Sequence, residues 1–137
     1  MSSTETAFTG QGDERFVSLT TYRKTGEPVS TPVWIGRDGE ALVVTTPKAS
    51  GKVMRIRNDP RVEMRPCSRT GKVKDGTQPV AGVTEILTDR ATVERLTDIF
   101  RDKYGLEYRI FMAIERLAKR GRKEERVILR ITRAQPA

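Results

Sequence analysis

Histidine is missing from all 137 residues. That absence removes Ser–His and Cys–His nucleophile pairs, imidazole proton shuttling and His-ligated metal sites. A single cysteine excludes an intrachain disulfide framework and any CxxC site. Aromatic residues reach only 6%, too few for a row of base-stacking side chains on one strand face. No window approaches the ~18 consecutive apolar residues of a membrane span. The opening MSSTETAFTG has neither the basic region nor the apolar core of a signal peptide. Together these absences predict a soluble, reduced, cytoplasmic protein with no metal site and no membrane partner.

Positive charge is abundant by contrast. Lys and Arg number 26 against 18 Asp and Glu, a net charge of +8. Such an excess suits nucleic acid, an anionic membrane surface or an anionic small ligand, and its placement decides among them. Basic residues concentrate over 48–74 and 101–133, without an unbroken basic tract. The length is that of one domain. Residues 1–12 are small and polar and read as a flexible N-terminal arm, ahead of a single domain over 13–137.

Strand signals come early. Residues 16–22 are rich in β-branched and aromatic side chains. Residues 28–35 alternate, with Val29, Thr31, Val33 and Ile35 on one face and Ser30, Pro32 and Trp34 on the other. Pro32 cannot donate to a ladder, so an edge or bulge is expected there. Asp38-Gly39 is a hairpin signal, returning through a nearly all-apolar run over 41–46 that predicts burial on both faces. Ser50 is positioned to cap a short helix over 52–58, which Asp59-Pro60 stops. Strands over 61–67 and 80–87 follow, the second with Gly82 as a candidate bulge.

Two helices come next. The first has a stripe of Val93, Leu96, Ile99 and Phe100. The second, over 106–120, has Ile110, Phe111, Ile114, Leu117 and Ala118 at helical spacing and Gly121 as its end. Both stripes read as core. A last strand covers 127–131. Consecutive strands joined by tight turns predict a mainly β fold with flanking helices, an antiparallel sheet curling into a barrel.

The segment over 45–55 carries the chemistry. Helix N-termini hold unpaired N–H groups and partial positive charge, so acids are usual there. Here Lys48 precedes the cap and Lys52 occupies the first turn, with Arg55 following on the same face. The arrangement becomes favourable when an anion, typically a phosphate, sits at the helix start, with Thr45, Thr46 and Ser50 as hydroxyl donors. A solvated basic turn is the plainer alternative.

Three pieces in order carry a resemblance: Gly26-Glu27-Pro28-Val29-Ser30-Thr31-Pro32-Val33-Trp34; a strand ending in Thr45-Thr46 and leading to Lys52 and Arg55; and Asn58-Asp59-Pro60-Arg61-Val62. Over about residues 16–133 the chain resembles the flavin and deazaflavin oxidoreductases of the pyridoxamine-5′-phosphate-oxidase-like split-barrel superfamily, most of all the class using coenzyme F420, known mostly from actinobacteria. The resemblance implies a six-stranded antiparallel split β-barrel and a homodimer with two cofactor sites at the subunit interface. It implies that Lys52 and Arg55 hold the cofactor phosphate, with Thr45, Thr46, Lys48 and Ser50 along the phosphate and ribityl chain. Thr31, Pro32 and Val33 would face the ring, and Arg65, Pro66 and Cys67 would end the next strand near it. The polyanionic tail of F420 matches the basic charge better than the single phosphate of FMN, which stays the alternative cofactor.

The implied activity is hydride transfer to a small organic acceptor, with the chemistry supplied by the cofactor. No catalytic residue is assigned; Tyr22, Lys48 and solvent are the candidate proton donors. Trp34 reads first as a half-buried aromatic of the barrel or dimer seam, and second as a flank of the pocket. Cys67 reads as a small buried residue rather than a nucleophile. Tyr104 and Tyr108 are minor candidates for a dimer contact. The basic cluster over 119–123 reads as a solvated helix end. Two other readings compete: a cofactor-binding protein without turnover, and a nucleic-acid-binding barrel, which the scarcity of aromatics and the lack of RNP or helix-turn-helix patterns disfavour.

Overall fold

A computed structural model describes residues 3–119 and 125–134. The elements are α1 (Ser3–Gly10), a 3-10 turn (Gln11–Asp13), β1 (Val17–Tyr22), β2 (Pro28–Val33), β3 (Gly36–Asp38), β4 (Ala41–Pro47), α2 (Gly51–Asn58), β5 (Arg61–Pro66), β6 (Val80–Leu87), α3 (Arg90–Tyr104), α4 (Leu106–Ala118) and β7 (Arg126–Arg133). All seven strands form one antiparallel sheet in the order β2-β1-β5-β6-β7-β4-β3.

That order forces the sheet to curl. β2 and β3 are opposite edges, yet only Trp34 and Ile35 lie between them. A flat seven-stranded sheet would hold its edges about 29 Å apart, at ~4.8 Å per strand. The three Cα steps from Val33 to Gly36 reach at most about 11 Å. The sheet therefore rolls into a half-barrel, the split-barrel architecture expected. β3 is a short seventh strand beyond the six expected. It arises because the run over 28–35 breaks after Val33, and Gly36–Asp38 pairs with β4 through the turn at Gly39 (φ 63°). Pro32 lies in an edge strand, opposite Ser18.

Two cores follow from the alternation. Leu42 and Val44 of β4 point into the barrel with Val17, Leu19, Ile35, Met64, Leu129 and Ile131. Val43 points outward with Ile128, against Leu96, Phe100, Tyr104 and Tyr108 of the helices. Burial on both faces of β4 is thus as its apolar run predicts. Trp34 joins the outer layer, stacked on Tyr104 with centroids 4.7 Å apart, rather than filling the barrel. Tyr104 and Tyr108 are buried there too. Burial pushes the Tyr104 hydroxyl up to about 12; it accepts the Ile35 N–H at 3.0 Å and donates to the Arg15 carbonyl at 2.8 Å. Lys103 spends its three protons on the carbonyls of Gly12, Glu14 and Ile35, at 2.8, 2.6 and 2.7 Å.

Three local readings change. Residues 3–10, read as a flexible arm, form α1, and Phe8 is fully buried in the barrel core. One aromatic in an otherwise small, polar stretch supplies the apolar area that anchors it. Gly82 is no bulge: it pairs with Val62 and Arg133, and a Cβ there would lie 2.6 Å from Ile131 Cγ2, so the glycine serves close approach.

The α4 stripe is the third change. It is not core: Leu106, Ile110, Phe111, Ile114 and Leu117 are 46–78% exposed. α4 is apolar around more than one face, and after the turn at Gly105 it sets Tyr108 and Met112, one helical turn apart, against the core. Periodicity identified an apolar face without deciding what it meets. Gly121 and the rest of the cluster beyond Lys119 lie outside the described residues.

Candidate anion and cofactor site

β4 ends in Thr45-Thr46-Pro47, the chain turns, and Ser50 caps α2 by accepting the Val53 N–H at 3.5 Å. Thr46, buried, donates its hydroxyl to Ser50 Oγ at 3.2 Å, fixing the turn. Val53 and Ile56 anchor α2 in the barrel core, which leaves Lys52 and Arg55 partly buried beside that face. No acid stands in the first turn. Arg55 donates from Nε to Thr21 Oγ1 of β1 at 2.6 Å. Its guanidinium folds over the first turn of α2, where a Cβ on Gly51 would sit 2.8 Å from Nη1. Glycine is what leaves that space.

Lys52 is the anomaly. It is partly buried, and no hydrogen bond or ion pair to a described residue engages its ammonium. Burial depresses its pKa, and the charges of Arg55 and Arg126 depress it further. Arg55 is likewise lowered, by burial and then by Arg23. Lys52 thus lies within electrostatic reach of Arg55 and Arg126, which are bonded to the hydroxyls of Thr21 and Thr45, and no carboxylate of a described residue engages Lys52 or Arg55. That donor set suits a phosphate.

Arg126 and Thr21 escaped sequence reading. Arg126 opens β7 opposite Pro47 and donates from Nε to Thr45 Oγ1 at 3.2 Å, while Nη1 meets both Glu115 oxygens at 2.8 and 2.9 Å. No local pattern marks it; only the β4–β7 register brings it here. Lys48, in contrast, is held in an ion pair with Glu125 at 3.6 Å.

The remaining predicted residues form a second group across β2, β1 and β5. The register sets Thr31, Leu19 and Met64 in one row, Pro32, Ser18 and Arg65 in the next, and Val33, Val17 and Pro66 in the third. Successive rows face opposite sides of the sheet. Thr31, on the barrel side, has a buried hydroxyl with no partner among the described residues, as do the Gln11 amide oxygen and the Thr84 hydroxyl elsewhere. Pro32 is exposed on the outer face, and Arg65 donates to Thr77 Oγ1 at 3.3 Å. Cys67 lies just past β5, bridged to Val73 and beside a cleft of about 320 Å³. Burial raises its thiol pKa, which favours the protonated form. The two groups are joined by β1, since Thr21 and Ser18 are three residues apart, about 10 Å. Of the candidate proton donors, Lys48 is ion-paired, and the Tyr22 hydroxyl is pushed up by burial and by Glu63.

The family model described as pyridoxamine 5′-phosphate oxidase matches residues 5–135. No curated protein matches the chain. Among solved structures, a conserved hypothetical protein from Mycobacterium tuberculosis is similar at 22% identity and a TM-score of 0.66, over 98% of this chain and 82% of that one. An F420 reductase is similar at 21% identity and 0.59, over 98% and 96%. A heme binding protein from Mycobacterium smegmatis is similar at 18% identity and 0.62, over 98% of this chain and 52% of that one. At these identities the likeness concerns the fold.

Proposed function

The chain belongs to the pyridoxamine 5′-phosphate oxidase family, a fold family that takes flavin-type cofactors and includes oxidoreductases, and from that premise we propose that it is an F420-dependent oxidoreductase. One observation carries the reading most: the partly buried ammonium of Lys52, without a partner among the described residues and within electrostatic reach of Arg55 and Arg126. A protein gains nothing from holding such charges together without an anion to bind. The same fold also serves a heme binding protein, but this chain has no histidine to offer an iron. The F420 reductase neighbour and the excess of basic residues support F420 over FMN.

Lys52 and Arg55 would hold the phosphate, with Thr45, Thr46 and Ser50 beside it. Thr31, Pro32, Val33, Arg65, Pro66 and Cys67 would border the ring, where the orphan Thr31 hydroxyl awaits a partner. When bound and reduced, the deazaflavin supplies a hydride. The chain's own work is to bind, orient and exclude water. No side chain is assigned a proton-transfer role, so solvent remains available for it. A small organic acceptor is the proposed substrate class.

The proposed assembly is a homodimer, with the exposed α4 stripe as its seam. The five exposed side chains form a single stripe on the order of 500 Å², the size of the largest patch an ordinary monomer shows. Two copies meeting there would approach the ~1,200 Å² of a small specific interface.

Ring fluorescence during separate titrations with F420 and FMN tests the cofactor. Micromolar binding of F420 with weaker FMN binding is expected. Tighter FMN binding would move the assignment to a flavin enzyme, and failure to bind either would overturn it.

A further inference from the structure

We propose that Arg126, aimed by Glu115, is the third cation of the cradle at α2 and reads the phosphate of the bound cofactor; this rests on the cofactor reading above. Arg126 and Glu115 have side chains only 17% and 18% exposed, so the pair is rigid and poorly screened. A guanidinium has five N–H donors. Nε is given to Thr45 and Nη1 to Glu115, whereas no described residue accepts from Nη2. Thr45 lies at the end of β4 that feeds the capping turn, so this anchoring sets the guanidinium beside the turn.

Charge supports the assignment. Lys52, Arg55 and Arg126 against Glu115 leave +3 − 1 = +2, enough for a phosphate. Arg126 also contributes to the depressed pKa of Lys52, so the two cations feel each other across the cradle. Glu115 is the positioning residue, and through it the orientation of α4 reaches the anion site.

The test compares ligands with and without the phosphate: FMN against riboflavin, and F420 against its phosphate-free deazaflavin. Three variants are used: Arg126→Lys, the double variant Arg126→Gln/Glu115→Gln, and Lys52→Met. The double variant leaves no carboxylate stranded, which guards against a fold defect. Its Kd for the phosphorylated ligand is expected to rise about tenfold or more, with the phosphate-free ligand changing less than about twofold. Arg126→Lys, which keeps the charge but not the fork, should lie between.

Equal changes for both ligands of a pair, or none, would make Arg126 a structural tie only. If Lys52→Met selectively weakens the phosphorylated ligand and the double variant does not, the cradle stands and the role of Arg126 is rejected. If neither variant responds, or if the wild type binds no member of either pair, the cofactor reading falls along with it.

Discussion

Replacing Lys52 by Met should make the free protein more stable and the bound protein weaker, two effects of opposite sign from one side chain. Lys52 and Arg55 are neighbours at i, i+3 on α2, and the charge of Arg126 also acts on Lys52. Charged ends about 6 Å apart repel by about 1.4 kcal/mol at an effective dielectric near 40. Arg126 is largely offset by Glu115, and solvent screens the partly exposed pair, so a net gain of about 1 kcal/mol on removing the charge is expected. Met keeps the aliphatic stem in place. For a chain of this length the gain corresponds to roughly 3–5 °C in Tm.

The pH dependence has a definite sign. The folded pKa of Lys52 lies below the ordinary lysine value of 10.5, so between the two values the unfolded chain holds more protons. Wild-type stability from this group therefore rises with pH through that window, and the advantage of the variant fades toward pH 10.5. It should also shrink in high salt. Thermal melts of the free proteins in low and high salt, set beside F420 titrations, read both effects. A lower Tm for Lys52→Met together with unchanged affinity would refute the assignment of an unpaired, anion-seeking ammonium.

Further outcomes are open to direct measurement. Gly82→Ala should cost about 2 kcal/mol or more in urea unfolding, because its Cβ would strike Ile131 at 2.6 Å and the Thr132 carbonyl at 3.1 Å in a packed sheet. Ser50→Ala should cost about 1 kcal/mol through loss of the α2 cap, and should also weaken phosphate-bearing ligands. Lys103→Met should destabilise by roughly 2–4 kcal/mol, leaving three carbonyls without their donor, with exchange protection lost first around residues 12–14. Ile110→Glu with Leu117→Glu should convert a dimer to a monomer in sedimentation velocity while leaving the circular dichroism unchanged; an unaltered sedimentation coefficient would move the seam away from α4.

Much of the architecture was legible because local signals agreed with it. Ser50, Asp59-Pro60 and Asp38-Gly39 each act through their immediate neighbours, and α2, its end and the β3–β4 hairpin fall where they direct. The apolar run of β4 predicts burial on both faces, and each face meets a core of its own. What escaped depended on distant partners. Arg126 meets Thr45 only because β7 pairs with β4. Phe8 reaches the core across Gly82, where a Cβ would lie 3.4 Å from its ring. The α4 stripe was readable as apolar, but a helix turned by Gly105 presents one apolar side inward and another outward, and periodicity does not choose between them.

The two residues joining β2 to β3 act as a sorting gate. Trp34 goes to the helical layer and Ile35 to the barrel interior, one step apart on opposite faces. Adding a single residue between Val33 and Gly36 would exchange those destinations, driving an indole toward the closed interior and an aliphatic chain into the aromatic stack. Removing one would shorten a tie that already spans the sheet's two edges. The segment therefore tolerates changes of side chain far better than changes of length. Along that edge the barrel is stitched by a peptide link rather than zipped by a ladder between β2 and β3. It can gape there without surrendering a strand pairing, a freedom that no other line around the sheet possesses.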